Sequence, residues 1–201
     1  MRTDNHRGQL LVLIVKAGCA IAWSAQTSDI RQIVADFFAA LNSYNFGAYS
    51  AFYTPDASVV HYDNERTALD LTTAKGYREF EAATHARFSY QVHELTGNAA
   101  DICEAESNDF YEILGPREHK SHWRYRFREG RIYEEDQLSP PDPEYLKAYR
   151  ALRGWIASAR PDDARKITMP DGNLIFSGTT AADILRLARA WKAEGGPMPG
   201  H

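Results

Sequence analysis

His122-Trp123-Arg124-Tyr125-Arg126-Phe127-Arg128-Glu129-Gly130-Arg131-Ile132 decides how this chain is read. Aromatic rings at 123, 125 and 127 alternate with arginines at 124, 126 and 128, the period of a strand with one apolar and one solvated face. Glu129-Gly130 supplies a tight turn, and the return strand runs from Ile132 to Leu138. Going back along the chain, further strands are predicted at Glu118 to Arg128, Ile102 to Ile113 and Ser89 to Leu95. Gly115-Pro116 and Gly97-Asn98 separate them with turn chemistry.

Ahead of these strands the period changes. Thr27-Ser28-Asp29 offers N-cap chemistry, and Ile30, Ile33, Val34, Phe37, Phe38 and Leu41 recur at helical spacing. Asn45 caps a shorter helix carrying Phe46, Tyr49 and Phe52, which Thr54-Pro55-Asp56 ends. Ser58-Val59-Val60-His61-Tyr62 is a short strand, followed by another at Ala68 to Leu71. Thr72 or Thr73 caps a third helix with Tyr77, Phe80, Ala83 and Phe88 on its apolar side. The fold class is therefore α+β: a curved antiparallel sheet wrapped on three helices as a cone, over residues 29–138.

Ser139-Pro140-Pro141-Asp142-Pro143 marks a boundary. Beyond it residues 142–195 form a helix-hairpin-helix appendage. Glu144 to Ala159 is helical, Ile167 to Phe176 is a hairpin about Pro170-Asp171-Gly172-Asn173, and Thr180 caps a last helix through Trp191. The appendage is too small to hold a core alone and must dock on the cone or on a second subunit.

Composition narrows the function classes. The 201 residues are 44% hydrophobic and 25% charged with a net charge of -4, and no basic stripe points to nucleic acid. Two cysteines, Cys19 and Cys103, cannot build a disulfide framework or a cysteine metal site. Residues 1–25 pair Arg2 and Arg7 with an apolar run that Lys16 interrupts. They read as an export signal, which would place the protein in the periplasm or outside the cell, or as a cytoplasmic extension. The run is too short for a stable membrane span.

Val34-Ala35-Asp36-Phe37-Phe38-Ala39-Ala40-Leu41-Asn42, Phe52-Tyr53-Thr54-Pro55-Asp56-Ala57-Ser58-Val59, Gly76-Tyr77-Arg78-Glu79-Phe80 and Tyr125-Arg126-Phe127-Arg128-Glu129-Gly130-Arg131-Ile132-Tyr133-Glu134 share their order and spacing with one group of proteins. On these residues the chain resembles the nuclear-transport-factor-2-like superfamily, and within it the SnoaL-like group. That superfamily includes isomerases, cyclases, dehydratases and non-catalytic binding modules, so the resemblance implies a fold and a pocket rather than a reaction. The steroid isomerase pattern fails residue by residue. Its helix-1 tyrosine corresponds to Phe37, its catalytic base to His61, and its acidic oxyanion donor falls near Trp123. In SnoaL-like cyclases an acid/base aspartate follows the Ile-x-Glu of the last strand. Here Ile132-Tyr133-Glu134 is followed by Glu135 and Asp136, so the resemblance gives Asp136 that role.

Strand parity supplies candidates from the residues themselves. His61 lies near the end of the first strand, and an imidazole suits proton transfer alpha to a carbonyl. Asp109 or Glu134 would orient it, with the alternative that His61 is a hydrogen-bonded barrel residue. Cys103, Ala105, Ser107, Asp109 and Tyr111 are expected inward, with Glu104, Glu106 and Glu112 toward solvent. The catalytic set is thus His61, Asp109, Glu134 and Asp136. Phe37, Leu41, Tyr53, Ser107, Trp123 and Tyr125 line the pocket. Glu118-His119-Lys120-Ser121-His122 is better read as surface than as a metal pair. We expect no cofactor, no metal, a small apolar carbonyl or hydroxyl compound as ligand, and a homodimer. The leading expectation is acid/base catalysis of isomerase, cyclase or dehydratase type, and the alternative is a non-catalytic binding or assembly module.

Overall fold

The computed structural model describes residues 29–196. The N-terminal segment 1–25, with Cys19, lies outside them. Helix α1 occupies 29–42 and α2 Phe46–Ser50. Strands β1 (Tyr53–Val60) and β2 (Arg66–Ala68) form a hairpin, and α3 (Leu71–Ala83) follows. Then come β3 (Arg87–Thr96), β4 (Ala99–Ser107), α4 (Asp109–Leu114), β5 (His119–Arg128) and β6 (Arg131–Gln137). The appendage contains α5 (Pro143–Ala159), α6 (Pro161–Ile167) and α7 (Ala181–Ala193).

One six-stranded sheet has the order β2-β1-β6-β5-β4-β3. All its pairs are antiparallel except β1 with β6, which run parallel. Register shifts in β1, β3 and β5 mark the irregularities that bend strands, so the sheet curves around α1. The β5–β6 turn has positive φ at both Glu129 (53°) and Gly130 (76°), the backbone a two-residue hairpin turn of matching twist requires. Val34, Phe37, Phe38 and Leu41 of α1 pack on Ile102, Tyr125, Phe127 and Ile132 of the sheet. The cone expected from the strand periods is therefore present.

Several elements depart from the sequence reading, among them the first strand, which begins at Tyr53 and ends at Val60, and Phe88, which lies in β3 rather than on the third helix. The strand predicted to reach Ile113 stops at Ser107, because Asn108 starts a helix. Its Oδ1 accepts from Tyr111 N at 2.8 Å, and its Nδ2 donates to Glu106 at 2.7 Å. In the segment between α5 and α7, Pro161 begins the unforeseen helix α6, and the hairpin reduces to one bridge between Thr168 and Leu174. The third helix is capped by Asp70 rather than by Thr72 or Thr73.

Helix α4 matters because it joins the appendage to the cone. Phe110, Ile113 and Leu114 share a second core with Leu152, Ile156, Ile184 and Leu187 of α5 and α7, and with Phe80 of α3. Gly76 admits the close approach of this segment: a Cβ there would sit 3.0 Å from the Phe176 carbonyl oxygen. The appendage thus docks on the cone. Replacing the buried Asn108 by alanine removes the cap and leaves Glu106 short of a donor, and should cost about 1–2 kcal/mol in urea unfolding. A loss below about 0.5 kcal/mol, the range of an ordinary surface change, would mean that the cap does not hold this junction.

Candidate functional site

Parity along β4 is set by Ala100 and Ile102, both fully buried, and by the pairing of Ile102 with Trp123. Even-numbered residues therefore face the cone interior, and Glu104 and Glu106 point inward. In β6 the partner of Tyr125 is Glu135, so Glu135 points inward while Glu134 and Asp136 face outward. From α3, Ala74, Tyr77, Arg78 and Glu81 form an i, i+3, i+4, i+7 stripe, of which Ala74, Tyr77 and Arg78 reach the same interior.

The main cavity is about 590 Å³. Val59, Leu69, Ala74 and Trp123 make apolar walls, while His61, Arg78 and Glu135 bring polar groups to it. A smaller hollow of about 130 Å³ lies deeper, between Phe37, Leu41, Tyr125, Arg78, Glu104 and Glu135. Tyr49, Arg78, Trp123 and Glu135 line both.

Arg78 is the electrostatic centre. It donates to Glu81 through Nη2 and lies over the rings of Tyr49 and Phe88, at 5.0 and 5.3 Å from their centroids. Its Nε and Nη1 are buried with no hydrogen-bond partner among the described residues. Glu135 accepts from Tyr53 Oη, and Glu104 accepts from Tyr125 Oη at 3.2 Å. Burial drives each carboxyl above the ordinary range, against the pull of Arg78. Glu104 is pushed up to about 7 and Glu81 to about 8, and Glu106 and Glu135 are also raised. Burial likewise raises the phenols of Tyr53 and Tyr125, with Glu135 and Glu104 adding to it.

Five of the sequence candidates reach the cavities. His61 is in the main one, and Phe37, Leu41 and Tyr125 are in the deeper one. Trp123 reaches both. Tyr53 is buried and meets the site through Glu135. His61 Nε2 lies 3.3 Å from Thr67 Oγ1, with no carboxylate partner among the described residues. The other expectations are corrected. Asp109 sits in the first turn of α4 and pairs with His85 at 3.0 Å. Glu134 binds Arg66 and Arg126, and Asp136 lies 3.7 Å from Arg126, both on the outer face. Ser107 lies on the outward parity of β4. On β4 the interior takes the glutamates and the outer face takes Cys103 and Ala105, while on β6 the register with β5 turns Glu135 inward rather than Glu134 or Asp136.

Glu104, Glu106, Arg78 and Glu81 were not foreseen as site residues. The signal was present in the parity that Ile102 imposes on β4 and in the helical spacing from Ala74 to Glu81. Among the described residues no three His, Cys, Asp or Glu side chains converge as a metal site, and no helix is long and apolar enough to cross a membrane.

No protein-family model matches the chain, and no curated protein does either. Solved structures are similar in architecture. One is a nuclear-transport-factor-2-like protein of unknown function from Cytophaga hutchinsonii, 18% identical, covering 58% of this chain and 93% of that one with a TM-score of 0.41. Another is a proposed polyketide cyclase from Sinorhizobium meliloti, 18% identical over 53% of this chain and 93% of that one, TM-score 0.42. A third, of unknown function from Burkholderia xenovorans, is 17% identical over 56% and 83%, TM-score 0.42. Helices laid into six curved strands, with the first long strand parallel to the last, give this chain a curved-sheet α+β fold, and these structures are what it is similar to.

Proposed function

We propose that the cone is an acid/base enzyme acting on a small, largely apolar carbonyl or hydroxyl compound. The observation that carries this reading is the pair of unpartnered buried donors on Arg78, which line the same two hollows as the carboxyl of Glu135. A guanidinium with spare N–H groups suits a carbonyl oxygen that gains charge as the adjacent carbon loses a proton. Glu135 is the group positioned to take that proton, with Tyr53 holding its carboxyl in place. Glu104, across the deeper hollow, is the second carboxyl that returns it. Two carboxyls facing one hollow, both with proton affinity raised by burial, suit a reversible proton transfer. His61, at the outer cavity beside Thr67, is placed to pass protons to water. This reading moves the principal base from His61 to Glu135.

The test is solvent deuterium incorporation alpha to the carbonyl in a panel of small ketones, followed by NMR. Wild-type protein should exchange at least one panel member, and Glu135→Gln should slow it about 10²–10⁴-fold. Loss of exchange in His61→Ala with none in Glu135→Gln would return the base to His61. Ligands that bind by saturation transfer, with no exchange in any, would make the cone a binding module.

A further inference from the structure

We propose that the seam between the cone and its appendage is a second binding site, for a small organic ammonium ion. A cavity of about 200 Å³ lies there, separate from the deep hollow under α1 and sharing only Tyr77 with the main cavity. Its walls are aromatic: Tyr77 and Phe80 from α3, Phe110 from α4, Tyr145 from α5, and Phe176. Phe80 meets Phe176 and Phe110 edge-on, with ring centroids 4.7 and 5.9 Å apart, so π faces remain for a guest.

Two carboxyl groups enter this cage. Glu106 is held by Asn108 Nδ2 at 2.7 Å and Tyr111 Oη at 3.2 Å. Glu81, only 6% exposed, gives one oxygen to Arg78, while its Oε2 is buried with no partner among the described residues. A carboxyl oxygen left without a partner in an apolar surround is costly, and a bound cation would hold the group ionised. The guanidinium that meets the other oxygen lies over the rings of Tyr49 and Phe88, and neither of these lines the cage. Aromatic faces with carboxylates are the chemistry that recognises a methylated ammonium. A hard metal ion would want more oxygen ligands than converge here. Space suffices, since a cavity of about 150 Å³ accommodates benzene. Tyr77, 41% exposed, forms the rim through which a guest passes.

The probes are choline and tetramethylammonium chlorides, titrated calorimetrically into the full chain. The control is the neutral isostere of choline carrying tert-butyl in place of trimethylammonium. Saturable binding of the cations is expected, with the isostere at least about tenfold weaker. Glu106→Gln and Tyr145→Leu should each weaken choline by about tenfold while circular dichroism stays native. Glu135→Gln, in the other cavity, should leave choline binding unchanged. No saturable binding, equal affinity for the isostere, or loss in Glu135→Gln but not in Glu106→Gln would each overturn the site. None of these outcomes depends on ketone exchange, so this inference and the catalytic reading can fail separately.

Discussion

Arg78→Met is expected to lower stability by about 3–5 kcal/mol near pH 7, the cost of stripping the cation from buried carboxylates. Near pH 5 the same substitution should cost only about 1–2 kcal/mol, the loss of its packed stem and cation–π contacts. Arg78 faces Glu81 on its own helix, Glu104 and Glu106 on β4, and Glu135 on β6, and its charge lowers the proton affinity of all four. Burial outweighs that pull, so each folded carboxyl holds its proton more tightly than the unfolded one. A group with a raised folded pKa binds more protons in the native state, so stability falls as pH rises from the unfolded to the folded value. For Glu81 that window runs from 4.5 to about 8. Wild-type protein should therefore lose stability between about pH 5 and about pH 8, and Arg78→Met should lose it more steeply. Urea unfolding at the two pH values measures both slopes. An Arg78→Met cost that is equal at the two pH values would show that the carboxylates do not depend on this guanidinium.

The fold was legible in the chain because its main signals are periodic. The alternation from Trp123 to Arg128 and the helical spacing from Ile30 to Leu41 each survive burial unchanged, since both describe one face of an element. The β4 face was misread because parity fixes which residues share a side but not which side is inward. Only packing decides that, through Ile102 against Trp123. A strand whose inward face carries Glu104 and Glu106 looks, by polarity, like one turned inside out. Helix α4 escapes the pattern for a related reason: Asp109, Phe110, Tyr111 and Ile113 satisfy strand spacing, and the Asn108 cap that ends the strand leaves no mark on that alternation. Glu135 could be named as an available carboxyl, but its choice over Asp136 needed the register between β5 and β6.

Leu152→Ala should cost about 2–5 kcal/mol and weaken the cone together with the appendage. Leu152 is fully buried in α5, in the core it shares with Ile156, Ile184 and Leu187. The same core takes Phe110, Ile113 and Leu114 from α4 and Phe80 from α3, so it has no boundary at which the cone could remain whole. Phe80 lies on α3 two residues after Arg78, and Phe176 braces it from the appendage with ring centroids 4.7 Å apart. Loosening the second core therefore releases the helix that carries the guanidinium. Hydrogen exchange read peptide by peptide gives the test. Protection in α3, and in β4 and β5, should fall at the same denaturant concentration as in α5 and α7, with the common midpoint shifted by the substitution. If α5 to α7 open alone while β4 and β5 keep the wild-type midpoint, the appendage is an independent unit resting on the cone. A shared midpoint makes the helices after Pro143 part of the site's rigidity, because they fix the position of Arg78 without touching either hollow it lines.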